Sequence, residues 1–453
     1  MTLRFGTDGV RGVANRDLTP ELVTALGRVA ARVLGAGSWI VGRDTRRSGP
    51  MLEAALVAGL CAEGADVTTV GVLPTPGVAF LSQTRGTPAA MISASHNPFP
   101  DNGVKLFASG GRKIADDDER RIEAMLVAFV GGDTPVAGAD GAAVGSWAAL
   151  ADPTGEYIAH LAGALDGRRL DGIRVVVDCG NGAAHQVAPR ALEALGATVV
   201  VLNAEPDGTN INAGCGSTDP SELQRVVVEH GAHAGLAFDG DADRVIAVDE
   251  RGVVVDGDQM LAIAALDLRD RGRLRHDAVA ATVMSNLGLR NTLVANDIAL
   301  VETPVGDRSV LLAMEQHDLA LGGEQSGHVV FADHATTGDG TLTGIVLLDA
   351  VARRRRPLSE LAGVVTRLPQ VLRNVPVGSG AVLEEPAATG FWREVDAVAG
   401  ELGSEGRVLV RPSGTEPVVR VMVEADTESR ATALAQRLVD ALQGLGRSGA
   451  ARA

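Results

Sequence analysis

Cysteine is scarce in this chain. The 453 residues hold three, Cys61, Cys179 and Cys215, too few and too widely spaced for a disulfide scaffold or a CxxC metal knuckle, and they are expected to be reduced. No apolar run approaches the length that spans a bilayer, and MTLRFGTDGVRG has no apolar core of the secretory kind. A cytoplasmic protein with no membrane partner is expected. Positive charge is short: Lys+Arg 41 against Asp+Glu 57 leave a net charge of −16, the wrong sign for a broad phosphate-backbone surface, which excludes nucleic acid as a partner. Lysine is scarcer than cysteine, with Lys105 and Lys113 alone beside 39 arginines, so a lysine here needs a reason.

What is present is ordinary globular material, 45% hydrophobic and 22% charged, and the length predicts about three domains, or four compact ones. Strand-type and amphipathic helical runs alternate throughout, the pattern of α/β layers. Helices are predicted over 20–34, 49–63, 115–130, 186–195, 221–230 and 427–445. Strands are predicted over 39–42, 67–72, 174–178, 198–202, 234–238, 245–248 and 418–424. The Gly-, Ala- and Asp-rich stretch from Gly131 to Gly145, the turn at Asp249 to Gly252, and the chain near Val365 mark module boundaries. The run Arg353 to Arg356 before Pro357 reads as charge complementing a helix C-terminus.

Five polar, Gly-containing loops stand out. Ile92-Ser93-Ala94-Ser95-His96-Asn97-Pro98 follows an apolar run. Side chains of neighbours on an extended chain diverge, so the adjacent Ser95 and His96 do not by themselves make a hydrolase pair. Asp239-Gly240-Asp241-Ala242-Asp243-Arg244 sits between two strand-like runs and concentrates hard oxygen ligands, which favours Mg²⁺ over a solvated turn. An EF-hand is rejected although Glu250 falls at its twelfth position, because Arg244 takes the required glycine's place and the flanks are strands. Gly322-Gly323-Glu324-Gln325-Ser326-Gly327-His328 offers a set of polar groups suited to a sugar ring. Arg411-Pro412-Ser413-Gly414-Thr415-Glu416-Pro417, with Arg420, has the parts of a phosphate cradle without being a Walker A loop. Phe5-Gly6-Thr7-Asp8-Gly9-Val10-Arg11-Gly12 brings Arg11 among glycines. The stretch from Arg174 to Leu202 imitates a dinucleotide fingerprint around Gly180-Asn181-Gly182, but His185 stands where the third glycine belongs.

With these five loops in this order, the chain resembles the α-D-phosphohexomutase superfamily over its whole length. The resemblance implies three similar α/β domains with mixed sheets and a smaller C-terminal α+β domain around a central cleft, with bounds placed at 1–150, 151–250, 251–365 and 366–453. It implies that Ser95 becomes a phosphoserine and carries the phosphoryl group, and that Asp239, Asp241 and Asp243, together with Ser95, hold one Mg²⁺. Glu324 and Ser326 would grip sugar hydroxyls, while Arg411, Ser413, Gly414, Thr415 and Arg420 would hold the phosphate that is not reacting. Arg11 would be a second clamp on charge. Within the superfamily, Gln325 between Glu324 and Ser326 goes with an amino sugar, so the implied reaction moves phosphate between O6 and O1 of glucosamine through glucosamine 1,6-bisphosphate, toward amino-sugar nucleotides and cell-wall precursors. Relatives acting on mannose and glucose phosphates are the alternative. The attacking sugar hydroxyl must lose a proton; an arginine cannot take it and a lysine can, so Lys105 competes with His328 for the role of base. A haloacid dehalogenase type phosphatase with Asp239 as nucleophile is the rival enzyme, disfavoured because no lysine follows Lys113. A sugar-phosphate binding protein without catalysis is the third alternative. The oligomeric state is open, a homodimer among the choices.

Overall fold

Runs of Val, Ile and Ala buried on both faces build the central strands, as parallel sheets covered by helices on each side require. The computed structural model describes residues 9–132, 137–377, 383, 388–413 and 418–450. The first sheet contains β1 (Val10–Val13), β2 (Ser38–Arg43), β3 (Asp66–Val72), β4 (Ala89–Ile92), β5 (Asp101–Ala108), β6 (Arg112–Lys113) and β7 (Trp147–Ala149), in the order β1-β5-β4-β2-β3-β7 with β6 on β5. β4, β2, β3 and β7 are parallel, whereas β1, β5 and β6 run antiparallel to their neighbours. α1 (Pro20–Leu34), α2 (Gly49–Ala62), α3 (Thr75–Arg85) and α4 (Asp116–Val130) flank it. Thr19 caps α1 by accepting the Leu22 N–H, with Pro20 in the first turn, where its missing donor does no harm.

The second sheet has the order β12-β11-β10-β8-β9, built from β8 (Arg174–Asp178), β9 (Thr198–Leu202), β10 (Ala234–Phe238), β11 (Val245–Asp249) and β12 (Val254–Val255). β9, β8 and β10 are parallel, and β11 and β12 turn back antiparallel. α5 (Pro153–Gly163), α6 (Ala184–Ala194) and α7 (Ser221–Glu229) accompany it. The third sheet repeats the scheme with β13 (Ala278–Thr282), β14 (Ala299–Thr303), β15 (Leu321–Gly323) and β16 (Val329–Phe331), in the order β14-β13-β15-β16, and again its last strand is antiparallel. Its helices are α8 (Gly257–Asp270), α10 (Asp307–Gln316), α11 (Gly340–Arg354) and α12 (Leu358–Ala362), while α9 (Leu287–Ala295), which follows β13 in sequence, belongs to the smaller unit.

The chain divides into a larger unit, Met1–Met284 with Asp297–Val364, and a smaller one, Ser285–Asn296 with Val365–Ala453. In the smaller unit β17 (Gln370–Pro376), β18 (Arg407–Pro412) and β19 (Val418–Glu424) form an antiparallel sheet in the order β17-β19-β18, with α13 (Thr389–Leu402) and α14 (Glu428–Ala450). Alternate residues Val419, Val421 and Val423 enter its core beside Leu434 and Leu438 of α14. The buried carboxylate of Glu424 ties α9 into this unit, accepting from Leu287 N–H (2.9 Å) and Arg407 Nε (2.8 Å).

The fold is therefore three α/β/α domains with mixed sheets and a C-terminal domain with an antiparallel sheet. At the end of α11, Arg353 and Arg354 pair with Asp267, and Arg354 also pairs with Asp270, both aspartates on α8; the run thus ties two helices together as well as ending one. Among the described residues no helix is long and apolar enough to cross a membrane.

Candidate active site

In each of the first three sheets a parallel strand is followed by an antiparallel partner, and the connecting loop leaves the C-terminal end of the parallel set, where α/β sheets place ligands. These connections are the three motifs: Ser95 lies between β4 and β5, the aspartates between β10 and β11, and Glu324 to His328 between β15 and β16. The larger unit brings the first two into direct contact. Ser95 Oγ donates to Asp239 Oδ2 at 2.6 Å, and Gly240 lies so close that a Cβ there would meet the Ser95 carbonyl oxygen at 2.6 Å.

Ser95 is buried with φ +52°, not extended, so its hydroxyl and the His96 ring do approach each other, Oγ to Nδ1 at 3.4 Å. The divergence expected of neighbours on an extended chain does not apply at this residue. His96 Nδ1 accepts from Arg244 Nη1 at 2.7 Å. Burial, then Arg244 and Arg11, hold the His96 pKa below its ordinary value, so the ring is a neutral acceptor. Arg11, on β1 opposite Gly103 of β5, adds its positive charge to this side of the site.

Asp239, Asp241 and Asp243 are buried, with ligand atoms within 4.8 Å of one another. Burial, then Asp243 and Asp241, push Asp239 well above the usual carboxylate range; burial also opposes charge on Asp243, but Lys105, His328 and Arg244 outweigh it and hold that group well below. Lys105 Nζ bridges Asp241 Oδ2 (2.7 Å) and Asp243 Oδ2 (3.1 Å), and Thr75 Oγ1 donates to Asp241 Oδ2 at 2.5 Å. The other oxygens, Asp241 Oδ1 and Asp243 Oδ1, are buried with no hydrogen-bond partner. Unsatisfied carboxylate oxygens in a buried, oxygen-only donor set fit a hard divalent cation such as Mg²⁺.

His328 is buried on the other side of Asp243, with Nδ1 to Oδ2 at 3.8 Å. Gly338 N–H donates to Nε2 at 3.1 Å, and a Cβ at Gly338 would lie 2.4 Å from the ring, so a glycine is required there. Burial opposes charge on His328, but Asp243, Asp307 and Glu324 outweigh it and hold its pKa above the ordinary value. Lys105 and His328 thus converge on Asp243. Glu324 Oε1 accepts Gly306 N–H at 3.2 Å and Ser326 is exposed, so neither is bonded to the serine–aspartate cluster.

In the smaller unit Arg411 and Arg420 stand directly opposite each other on β18 and β19. Like charges in register destabilise a sheet unless an anion lies between them. Burial, then Arg420, lower the Arg411 pKa, and Arg411 Nε is buried without a hydrogen-bond partner. Ser413 N–H donates to Val418 O at 2.9 Å. Gly414 and Thr415 lie outside the described residues, as do Phe5, Gly6, Thr7 and Asp8.

Residues 174–202 do form strand, helix and parallel strand, but the loop amides are already used. Gly180 N–H donates to Asp178, Asn181 to Asn203 O, Gly182 to Cys179 O and Ala183 to Gly240 O, so none is left to cradle a phosphate.

Several residues of this site carry no obvious mark in the sequence. Thr75 opens α3, and besides its hydroxyl contact its N–H donates to Asp241 O at 2.9 Å. Asp44, Arg46 and Asn212 hold the Ser95 loop; a polar Arg-Asp-Thr-Arg run directly after a parallel strand was the available signal for the first two. Lys105 lies upstream of the aspartates yet reaches them, so a lysine's position in sequence does not argue against the phosphatase rival.

Four segments match the phosphoglucomutase/phosphomannomutase family: its alpha/beta/alpha domains I, II and III at residues 2–128, 155–252 and 256–368, and its C-terminal domain at 358–441. The chain is 55% identical over 445 residues to the phosphoglucosamine mutase of Salinispora arenicola, covering 96% of this chain and 97% of that one. A phosphoglucomutase/phosphomannomutase family protein of Burkholderia thailandensis superposes with a TM-score of 0.80 at 26% identity, over 97% of both chains. Aspergillus fumigatus N-acetylphosphoglucosamine mutase, solved with GlcNAc-6P and magnesium, shares the fold at a TM-score of 0.71 and 19% identity, over 98% of this chain and 96% of that one.

Proposed function

The chain belongs to the phosphoglucomutase/phosphomannomutase (α-D-phosphohexomutase) family, and from that premise we propose that it interconverts glucosamine 6-phosphate and glucosamine 1-phosphate, the phosphoglucosamine mutase reaction. The observation that carries the chemistry is the Ser95 hydroxyl seated on a buried triad of aspartates. The sugar rests on the phosphoglucosamine mutases, more than half identical, that this chain matches from end to end.

In the forward direction phosphorylated Ser95 gives its phosphoryl group to O1 of glucosamine 6-phosphate. The bond from phosphorus to Ser95 Oγ breaks and Oγ takes up a proton to become the serine hydroxyl, while the bond to O1 forms and the O1 proton leaves to a base of the site. Glucosamine 1,6-bisphosphate then turns end for end. Its O6 phosphoryl group passes to Ser95 Oγ as the bond from phosphorus to O6 breaks; the serine hydroxyl gives its proton to a base of the site, O6 regains a proton, and glucosamine 1-phosphate leaves. Asp239, Asp241 and Asp243 would hold Mg²⁺, whose charge when bound offsets the phosphoryl oxygens. Arg11 and Arg244 add fixed positive charge beside Ser95, and Lys105 and His328, both beside Asp243, are the two candidates to take and return the proton. Glu324 supplies a carboxylate for the C2 ammonium, and Arg411, Ser413 and Arg420, with Gly414 and Thr415, bind the phosphate that is not reacting.

Parallel assays of glucosamine, glucose and mannose phosphates test this reading. The highest kcat/KM is expected for glucosamine 6-phosphate, by a margin of a few kcal/mol at most from one charge-assisted contact. More efficient turnover of mannose or glucose phosphate contradicts the named sugar. Release of inorganic phosphate in place of isomerisation contradicts the mutase.

A further inference from the structure

The Ser95 loop is held by a residue outside the chemistry described so far. Arg46 follows β2, next to β4 in the sheet, and is fully buried. Its Nε donates to Asp44 Oδ2 at 2.8 Å, Nη1 to the carbonyls of Pro98 (2.6 Å) and Asp101 (3.0 Å), and Nη2 to those of Ser95 (2.8 Å) and Asn97 (2.8 Å). A guanidinium has five N–H donors, and here all five are taken up by one carboxylate and four carbonyls, three of the Ser95 loop and that of Asp101, which opens β5. Four carbonyl dipoles converging in a buried space would repel one another without a cation, and lysine, with three donors and no planar fork, cannot satisfy them all.

The frame closes on Ser95 from its other side. Asp44 accepts Arg46 N–H (2.9 Å) and Ser93 Oγ (2.7 Å), and Ser93 Oγ accepts Ser95 N–H (2.9 Å). Asn212 Nδ2, from the second domain, donates to Ser95 O (2.9 Å) and Asn97 O (3.2 Å). Both peptide groups of Ser95 are therefore fixed, at a left-handed φ of +52° that a serine adopts only with such support. The backbone frame does not hold its side chain, whose hydroxyl donates to Asp239.

Resting on the mutase reading, we infer that Arg46 is the positioning residue that keeps the Ser95 peptide still while the sugar turns between the two half-reactions. The two transfers bring O1 and O6 in turn to the same serine oxygen. A carrier that moved would have to meet two geometries, whereas a fixed one asks reorientation of the ligand alone.

The test compares wild type, Arg46→Lys and Ser93→Ala by hydrogen exchange of peptides covering residues 93–103 and by kcat and KM on glucosamine 6-phosphate. For folded Arg46→Lys, exchange of this loop is expected to rise at least about tenfold with the other sheets unchanged, and kcat to fall about 10²-fold with KM within about threefold, the scale of a 1 Å misplacement. Ser93→Ala, which removes a single hydroxyl, shifts both readouts in the same direction by about tenfold or less, and it decides the matter if Arg46→Lys does not fold. Unchanged loop exchange overturns the inference, as does raised exchange with kcat near wild type. Failure of the mutase reading shows in the wild type itself, which would then not interconvert the two glucosamine phosphates; loop exchange alone then supports or overturns the role of Arg46 as the loop's support.

Discussion

The β4–β5 loop and the β10–β11 loop occupy the same place in their sheets, each between a parallel strand and its antiparallel partner, yet they are wired in opposite ways. The first spends its carbonyls on Arg46 and Asn212 and turns one hydroxyl onto Asp239 of the other loop. The second packs three buried carboxylates together and leaves Asp241 Oδ1 and Asp243 Oδ1 without hydrogen bonds. On the proposed mechanism, one topological position thus serves two needs: immobility for a group that exchanges covalent partners, and carboxylate oxygens without hydrogen bonds for a cation. Replacing side chains in the two loops should accordingly produce different kinds of loss.

The largest effect is expected from Ser95→Ala, which removes the carrier without touching the backbone frame. Turnover should fall by at least about 10⁴-fold, with thermal unfolding unchanged. Asp241→Asn should lower kcat by about 10³-fold, the loss of several kcal/mol of charge stabilisation, with KM little changed and partial recovery in excess Mg²⁺; equal rates with and without a chelator would remove the metal from the reaction. Lys105→Arg keeps the charge and removes an amine that can deprotonate, so a fall of about 10²-fold identifies Lys105 as the base, and the same fall in His328→Gln alone identifies the histidine.

The paired arginines of the smaller unit provide a contrast in kind, since the task proposed for them is binding. Arg420→Ala should raise KM roughly tenfold with a smaller change in kcat, the loss of one charge-assisted contact to phosphate. A fall confined to kcat would reassign Arg420.

The smallest effect concerns the support behind the aspartate loop. Asp339 caps α11, accepting Leu342 N–H (2.9 Å) and Tyr157 Oη–H (2.6 Å), and the next residue, Gly340, donates its N–H to Ala242 O at 3.0 Å. Burial pushes the Asp339 pKa up to about 6, against those hydrogen bonds. Because the folded value lies above the unfolded one near 4, the fold binds this proton more tightly, and stability is lost as pH rises from about 4 through 6. Asparagine can cap without titrating, so urea unfolding of Asp339→Asn should show a flatter pH dependence in that window, by on the order of 1–3 kcal/mol. Parallel curves for the two proteins would show that Asp339 does not titrate there.

Much of this architecture was legible because local pattern and tertiary role agree. The strands at 174–178, 198–202, 234–238 and 418–424 and the helix at 20–34 have the limits that periodicity predicts. α3 was missed because Thr75-Pro76-Gly77 after Pro74 reads as a turn, although a proline in the first helical turn sacrifices no hydrogen bond. That omission hid Thr75, which touches Asp241. α8 was also missed: it is buried on most sides and so lacks a clear polar face, although Asp256 and Gln259 form a capping box at its start. The motifs named the serine and the aspartates, but not the frame around them, because Arg46 and Asn212 reach Ser95 from 49 and 117 residues away. The left-handed φ at Ser95, which turns its hydroxyl toward His96, likewise has no sequence signature in a residue other than glycine.

The most direct measurement of the central claim is the site of covalent phosphate. Protein treated with phosphatase, then incubated with glucosamine 1,6-bisphosphate and digested, should yield one peptide heavier by a single phosphoryl group, with fragmentation placing it on Ser95, and the Ser95→Ala variant should yield none. A phosphoryl group on Asp239, or an unmodified Ser95 peptide from protein that is turning over substrate, would contradict the account.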